Sequence, residues 1–335
     1  MSDVAISTTM SALDKTGITL RPAMPGLRLQ CPTCRKPMLS SESCPEGLCA
    51  ACGFSISEVN GIIRALPWER QLYFREFIQQ CESAAAKEAI GSSPEEYYLA
   101  LPFKELRRRS RGQWHVRAKT FRHLEKRILA AIEKDHPRGC DILDLGAGNC
   151  WMSFRLAVRG HRPVAVDLAD NESDGLGAGK HYLQHLSRWF PRFQAEMDRL
   201  PFSCSQFDAV IFNASFHYSL DYELTIREAL RCLRDGGYLI IADSPFYWRG
   251  ESGDAMLREK YEGFQRQFGF RSDSIPSSEY LTPAILDQLA YKFSLRWNIS
   301  KPWYGISWEL RPAKAWLLRK REPSKFFVIW AQVRK

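Results

Sequence analysis

Four cysteines in this chain are spaced for a metal. Cys31 and Cys34 form one C-x2-C pair, Cys49 and Cys52 form another, and fourteen residues separate the pairs. Each pair makes a tight knuckle whose two thiolates reach one ion, and two knuckles complete a tetrahedron. Four protein ligands leave no open position, so a structural ion is expected rather than a catalytic one. Gly53 follows the second pair, where a knuckle favours positive φ; Cys44 is left over. A second group begins at Asp141. Residues 142–145 read as a buried strand, Gly146 and Gly148 as a tight turn, and residues 151–158 as the first turns of a helix. Together these make a cradle for a nucleotide-like ligand. Asp167 ends the next strand, where a carboxylate can accept both hydroxyls of a ribose. His217 and Tyr218, after a strand at 207–213, and Asp243, at the end of another at 238–243, stand where strand ends face a ligand crevice. They are the candidates for acceptor contact or a general base. A packing role suits His217 equally, and a turn cap suits Asp243.

The cradle limits its own ligand. A dinucleotide site needs a third glycine, which lets helix and strand pack closely, and Trp151 stands there instead. A phosphate loop of the G-x-x-x-x-G-K-[ST] type is absent from the sequence. S-adenosylmethionine has no pyrophosphate, so a G-x-G turn suffices for its amino-acid and ribose parts. Its methyl group is already activated as a sulfonium, so positioning supplies much of the rate. A base is required only when the acceptor carries a proton at working pH.

The elements that position these groups follow from pattern. From residue 141 strands and helices alternate, implying a doubly wound parallel α/β sheet with helices on both faces. An amphipathic helix at 116–135, with Val116, Phe121, Leu124, Ile128 and Ile132 on one stripe, leads into the first strand. The last third changes character. Residues 257–268 and 283–290 read as helices, and 295–298, 306–310 and 325–333 as strands, giving a C-terminal β-hairpin elaboration. The expected boundaries are a flexible tail at 1–26, a zinc ribbon at 27–67, a helical linker at 68–115, the cofactor-binding core at 116–245 and a substrate-side elaboration at 246–335.

Bulk properties exclude some classes. The 335 residues are 45% hydrophobic and 25% charged, ordinary globular values. No apolar run is long enough for a transmembrane helix, and residues 1–24 lack the pattern of a signal peptide. Ten cysteines without a secretion signal point to a reducing, cytoplasmic setting. The net charge of +9 is uneven: residues 104–127 and 296–335 each carry ten Lys or Arg against two acids. Two basic segments on an acidic body suit an anionic partner, and equally two solvated faces. Five of the ten Trp (297, 303, 308, 316 and 330) lie in the C-terminal segment. They could stack bases, wall a pocket for a planar or lipid substrate, or pack a core.

The motifs Leu143–Gly148, Gly160–Asp167, Leu200–Phe202 with Phe207 and Asp208, and Glu228–Leu233 with Gly236 and Gly237 resemble the class I S-adenosylmethionine-dependent methyltransferase superfamily. The nearest general subgroup is the one that contains the ubiquinone/menaquinone methyltransferases. The resemblance covers residues 141–244 and implies a Rossmann-like sheet. It further implies that Gly146 and Gly148 contact the methionine part, Asp167 the ribose and Glu196 the adenine amino group, with Met197 offering its backbone N–H to the ring. Asp198 rivals Glu196 by charge, and Asp144, Ala147, Leu168 and Asn213 complete the expected cofactor contacts. The superfamily often has a third glycine where Cys150 stands. Residues 29–34, 49–54 and 59–67 resemble the small zinc-ribbon modules found with methyltransferases, one class of free-standing activator included.

Three functions stay open on this reading. One is methylation of a small-molecule or lipid-like metabolite. The second is RNA methylation, because a family of ribosomal RNA guanine methyltransferases joins a four-cysteine ribbon to this domain. The third is a binding module without catalysis. The oligomeric state is not addressed by the sequence.

Overall fold

The computed structural model describes residues 26–38, 47–84, 94–107 and 110–335, together with the backbone of 85–87. The expected tail at 1–26 and Cys44 lie outside the described residues, save Gly26. The centre of the fold is a run of fully buried strands. β1 (Gly47–Leu48), β2 (Ser55–Val59) and β3 (Ile62–Arg64) come from the cysteine-bearing segment; β4 (Asp141–Leu145), β5 (Arg162–Asp167), β6 (Arg192–Gln194), β7 (Phe207–Asn213) and β8 (Leu233–Ala242) from the alternating segment; β9 (Asn298–Ser300) and β10 (Val328–Gln332) from the tail. They form one mixed sheet in the order β1-β2-β3-β6-β5-β4-β7-β8-β10-β9. The neighbours from β3 through β8 are parallel, and both margins are antiparallel. Every residue of β4 and β7 is buried, as expected of strands covered on both faces.

Strand alternation divides the core in two. Leu143, Leu145, Val164, Val166, Val210 and Phe212 face one side, where α6 (Tyr222–Cys232) and α8 (Pro283–Phe293) pack. Ile142, Ala165, Ala209, Ile211 and Ile240 face the other, against α3 (Arg111–Leu124), α4 (Ala130–Asp135) and α5 (Trp151–Val158). A π-helical turn, Glu125–Leu129, joins α3 to α4. The added residue keeps Leu124, Ile128 and Ile132 all buried across the join. Asp221 caps α6 through Glu223 N–H and Leu224 N–H, and Thr282 caps α8 with Pro283 in its first turn. α1 (Trp68–Lys87), α2 (Glu95–Ala100) and α7 (Gly250–Phe268) complete the main helices. Among the described residues, no helix is long and apolar enough to cross a membrane.

Two sequence expectations change. The cysteine segment continues the main sheet: β3 pairs in parallel with β6, Ile63 beside Phe193. Its Leu29, Ile56 and Ile63 share the core of α6 and α8. The tail is not a simple hairpin. β9 and β10 pair antiparallel, yet residues 306–310, expected as a strand, begin α9 (Ile306–Glu309), and α10 (Arg311–Leu317) follows. Residues 306–310, Ile-Ser-Trp-Glu-Leu, alternate apolar and polar over only five positions, too few to fix a strand against tertiary contacts. Here Tyr304 anchors the segment by bonding Thr120, and Arg311 stacks on Trp308 one helical turn away.

Candidate functional site

A cavity of about 390 Å³ lies at the C-terminal ends of β4, β5, β6 and β7. Its floor is the turn after β4. Gly146 has φ +77°, and a Cβ there would meet Ser215 Cβ at 2.1 Å. Glycine is therefore required by both conformation and space. Gly148 has φ +50° and donates its N–H to Asp167 Oδ2 at 2.8 Å. Asp167 Oδ1 accepts Ala169 N–H at 2.8 Å. The carboxylate is thus locked by one backbone bond per oxygen, with lone pairs left for a diol. Cys150 takes φ +63° at the N-cap of α5 and is fully buried. The backbone there suits glycine, which accounts for the departure noted in the sequence.

Four buried oxygens at this cavity lack a partner among the described residues: Asp144 Oδ1, Asn213 Oδ1, Asp198 Oδ1 and, on the acceptor side, Glu105 Oε2. Asp144 Oδ2 accepts Ser153 Oγ at 2.7 Å, and burial pushes the Asp144 carboxyl up to about 7. Buried acceptors without donors are costly to keep empty, so they mark places for a ligand's N–H or O–H groups. Ala147, Leu168, Met197 and Glu196 also line the cavity. Glu196 differs from expectation in one respect. Arg70 of α1 clamps it through Nε at 2.9 Å to each oxygen and Nη2 at 2.6 Å. The neighbouring Asp198 keeps a free oxygen.

The acceptor side is built by helices. Phe74, Phe77, Tyr97, Trp114 and Ile275 give an apolar wall, and Tyr218 and Arg117 stand among them. Burial pushes the Tyr218 phenol well up, so it stays protonated and serves as a donor. His217 and Asp243 are not on the wall. His217 is buried behind it, with Nδ1 3.3 Å from Ser244 Oγ. Burial first, then Lys260 and Arg117, press its imidazole down to about 3, too weak a base for work at neutral pH. Asp243 accepts Thr120 Oγ1 at 2.6 Å, and burial raises it to about 6. Of the three residues proposed for acceptor chemistry, only Tyr218 reaches the cavity.

Arg117 was not anticipated, though a signal exists. Trp114, Arg117, Phe121, Leu124 and Ile128 recur at three- and four-residue spacing, which puts a cation on the buried stripe. Its guanidinium carbon sits 4.6 Å from the Trp114 ring. Arg70 carries no comparable signal.

The four cysteines converge. Sγ of Cys31 and Cys52 are 3.5 Å apart, those of Cys34 and Cys49 are 3.4 Å apart, and all four lie within 4.8 Å of one another. A tetrahedron with metal–sulfur bonds of about 2.3 Å has edges of about 3.8 Å, so the set fits one ion. The first knuckle also touches the cavity's edge. Arg35 donates to Glu228 Oε2 at 2.8 Å and to the Asp198 carbonyl at 3.2 Å, and Gln30 N–H reaches the Pro201 carbonyl at 2.9 Å.

The basic segment of 104–127 lines a second cavity of about 610 Å³, where Lys104, Arg111, His115, Lys119 and Arg122 meet Phe103 and Trp114. The five C-terminal tryptophans line neither cavity. Trp297 bonds the Leu286 carbonyl within the core, while Trp303 and Trp316 are exposed.

Residues 143–241 match the family described as a methyltransferase domain. The demethylmenaquinone methyltransferase of Mycolicibacterium gilvum is 32% identical over 102 residues, covering 30% of this chain and 41% of that protein. The fatty-acid O-methyltransferase of Mycolicibacterium smegmatis is 28% identical over 166 residues, covering 46% and 60%. The ubiquinone/menaquinone biosynthesis C-methyltransferase of Allorhizobium ampelinum is 26% identical over 118 residues, covering 35% and 46%. The chain thus spans about half the length of these relatives. Among solved structures, a SAM-dependent methyltransferase of Methanosarcina mazei is 16% identical with a TM-score of 0.38, covering 59% of this chain and 94% of that one. A Haloferax volcanii complex containing the Trm112 methyltransferase activator is 17% identical with a TM-score of 0.45, covering 72% and 98%.

Proposed function

We propose that this chain, whose residues 143–241 match the family described as a methyltransferase domain, is a class I S-adenosylmethionine-dependent methyltransferase acting on a small-molecule or lipid-like acceptor. The observation that carries this reading is the cavity itself. One wall offers locked or unpartnered oxygens from Asp144, Asp167, Asp198 and Asn213, and the other is mainly apolar and aromatic, with Glu105, Arg107 and Arg117 set in it. In this reading Gly146, Ala147, Gly148, Asp144 and Asn213 surround the amino-acid part of the cofactor. Asp167 and Leu168 meet the ribose. Met197 and Asp198 meet the adenine, while Glu196 is held by Arg70 and braces the loop. The bound cofactor supplies a methyl group on a sulfonium. The chain's residues hold the acceptor in line with it, and the enclosed site excludes competing water. The relatives named for demethylmenaquinone and fatty acids support an acceptor of this kind.

The four-cysteine cluster holds one structural zinc, and its role is to fix β2, β3 and the Arg35 knuckle against the loop that carries Asp198. A second reading, RNA methylation, rests on the basic cavity beside α3. Labelled S-adenosylmethionine and cell extract divided into RNA and small-metabolite fractions separate the two. Label in the metabolite fraction is expected. Label confined to RNA, with binding that weakens steeply as salt rises, would favour the second reading.

A further inference from the structure

We infer that the acceptor is a carboxylic acid, seated as its carboxylate on Arg117 and methylated on oxygen. The inference rests on the methyltransferase reading and adds the acceptor's chemical class. Arg117 projects from α3 into the cavity, stacked at 4.6 Å on Trp114. No hydrogen bond or ion pair ties its guanidinium to any described residue. The strongest charge acting on it is the Asp243 carboxyl, whose Oδ1 accepts Thr120 Oγ1 and whose Oδ2 has no partner. A desolvated guanidinium with its fork unused is a receptor for a planar anion, and a carboxylate matches it with two parallel bonds. Phe74, Phe77, Tyr97 and Ile275 suit an apolar body behind the acid, while Glu105 and Arg107 also line the cavity.

Apart from its carboxylates, Glu105, Asp144 and Asp198 among them, the described wall offers no ready base. His217 is screened behind the wall, and Tyr218 stays protonated. A carboxylate needs no base, because it is already ionised at neutral pH. One of its oxygens forms a bond to the methyl carbon as the sulfur–methyl bond breaks, and the bonding pair stays on sulfur. Anion and sulfonium become a neutral ester and a neutral thioether, with no proton moved. The ester no longer carries the charge that Arg117 held, which favours its release.

The test uses the full chain with labelled S-adenosylmethionine, offering octanoate, 4-phenylbutyrate and a lipid extract. In parallel, calorimetry compares octanoate with octanamide on protein saturated with S-adenosylhomocysteine. Expected are label that mild alkali releases as methanol and an octanoate affinity about tenfold to a hundredfold above the amide's. Arg117→Gln should abolish both, and Arg117→Lys, which keeps charge but loses the fork, should retain part of each. Both variants should bind S-adenosylhomocysteine like wild type, which shows them folded. Label that is alkali-stable or absent, or equal binding of acid and amide, overturns the inference while S-adenosylhomocysteine still binds. Failure of wild type to bind S-adenosylhomocysteine overturns the methyltransferase reading itself.

Discussion

Replacing Asp144 with Asn should strengthen the fold and weaken the cofactor site at once. Asp144 is fully buried, one oxygen accepts Ser153 Oγ, and the other has no partner. Burial raises its carboxyl from 3.8 to about 7. A carboxyl raised on folding favours the folded state while protonated, so that stability is present below about pH 4 and lost as pH rises through 7. A rise of about three pH units corresponds to about 4 kcal/mol. Asn carries no charge to desolvate, but its buried amide donors cost about 1–3 kcal/mol if unmade. The net expectation is a cofactor-free variant about 1–3 kcal/mol more stable at pH 8, with the gain shrinking toward pH 5. Urea unfolding at pH 5, 6.5 and 8 reads this difference, and the other titrating groups cancel in it. Cofactor affinity should move the opposite way. Loss of a charged bond to the cofactor's ammonium, about 1.5–3 kcal/mol, weakens S-adenosylhomocysteine about tenfold to 150-fold by calorimetry. Wild-type affinity should fall about tenfold from pH 8 to pH 6, and the variant's should not. A variant less stable than wild type at pH 8, or one that binds S-adenosylhomocysteine with unchanged affinity, would refute the assignment of Asp144.

Other perturbations have equally definite signs. His217 falls from 6.5 to about 3 on folding, so its contribution is present above pH 6.5 and lost as pH falls through 3. Relative to His217→Gln, wild type should lose about 3 kcal/mol of unfolding free energy between pH 7 and 4.5; parallel profiles would contradict the burial argument. Zinc should be present at about one ion per chain, and Cys31→Ser should eliminate it and lower the melting temperature by about 5 °C or more; full metal content in the variant would exclude this ligand set. Cys150→Gly relieves a left-handed backbone but loses a buried side chain, so unfolding free energy should change by less than about 1 kcal/mol. Cys150→Val, whose β-branch resists that conformation, should cost at least about 2 kcal/mol.

The sequence exposed those parts of the molecule whose cause is local. Residues 142–145 and 207–213 are mainly apolar runs, broken by Asp144, Asp208 and Asn213, and Gly146 and Gly148 mark a turn that needs positive φ. Cys150 stood out by its type, and its φ of +63° supplies the reason. What escaped depends on partners distant in the chain. Nothing near Ile63 announces that its strand pairs with Phe193, about 130 residues away. The Arg70 clamp on Glu196 spans 126 residues. His217 and Asp243 do follow strand ends, yet Ser244 and Thr120 hold them behind the wall. Residues 306–310 are helical through tertiary contacts at Tyr304 and Trp308 that override a short alternating pattern. Arg117 was visible as a cation on an apolar stripe, a pattern easily taken for one basic residue among many.

The most direct measurement of the central claim is a calorimetric titration of the full chain with S-adenosylmethionine, alongside Asp167→Ala. The carboxylate of Asp167 is fixed by Gly148 and Ala169 with lone pairs left for the ribose. Wild type should show one site per chain, and the variant an affinity at least about a hundredfold lower, as expected for two lost charged hydrogen bonds. A wild-type chain that binds no S-adenosylmethionine, or an Asp167→Ala chain that binds it equally well, would contradict the account.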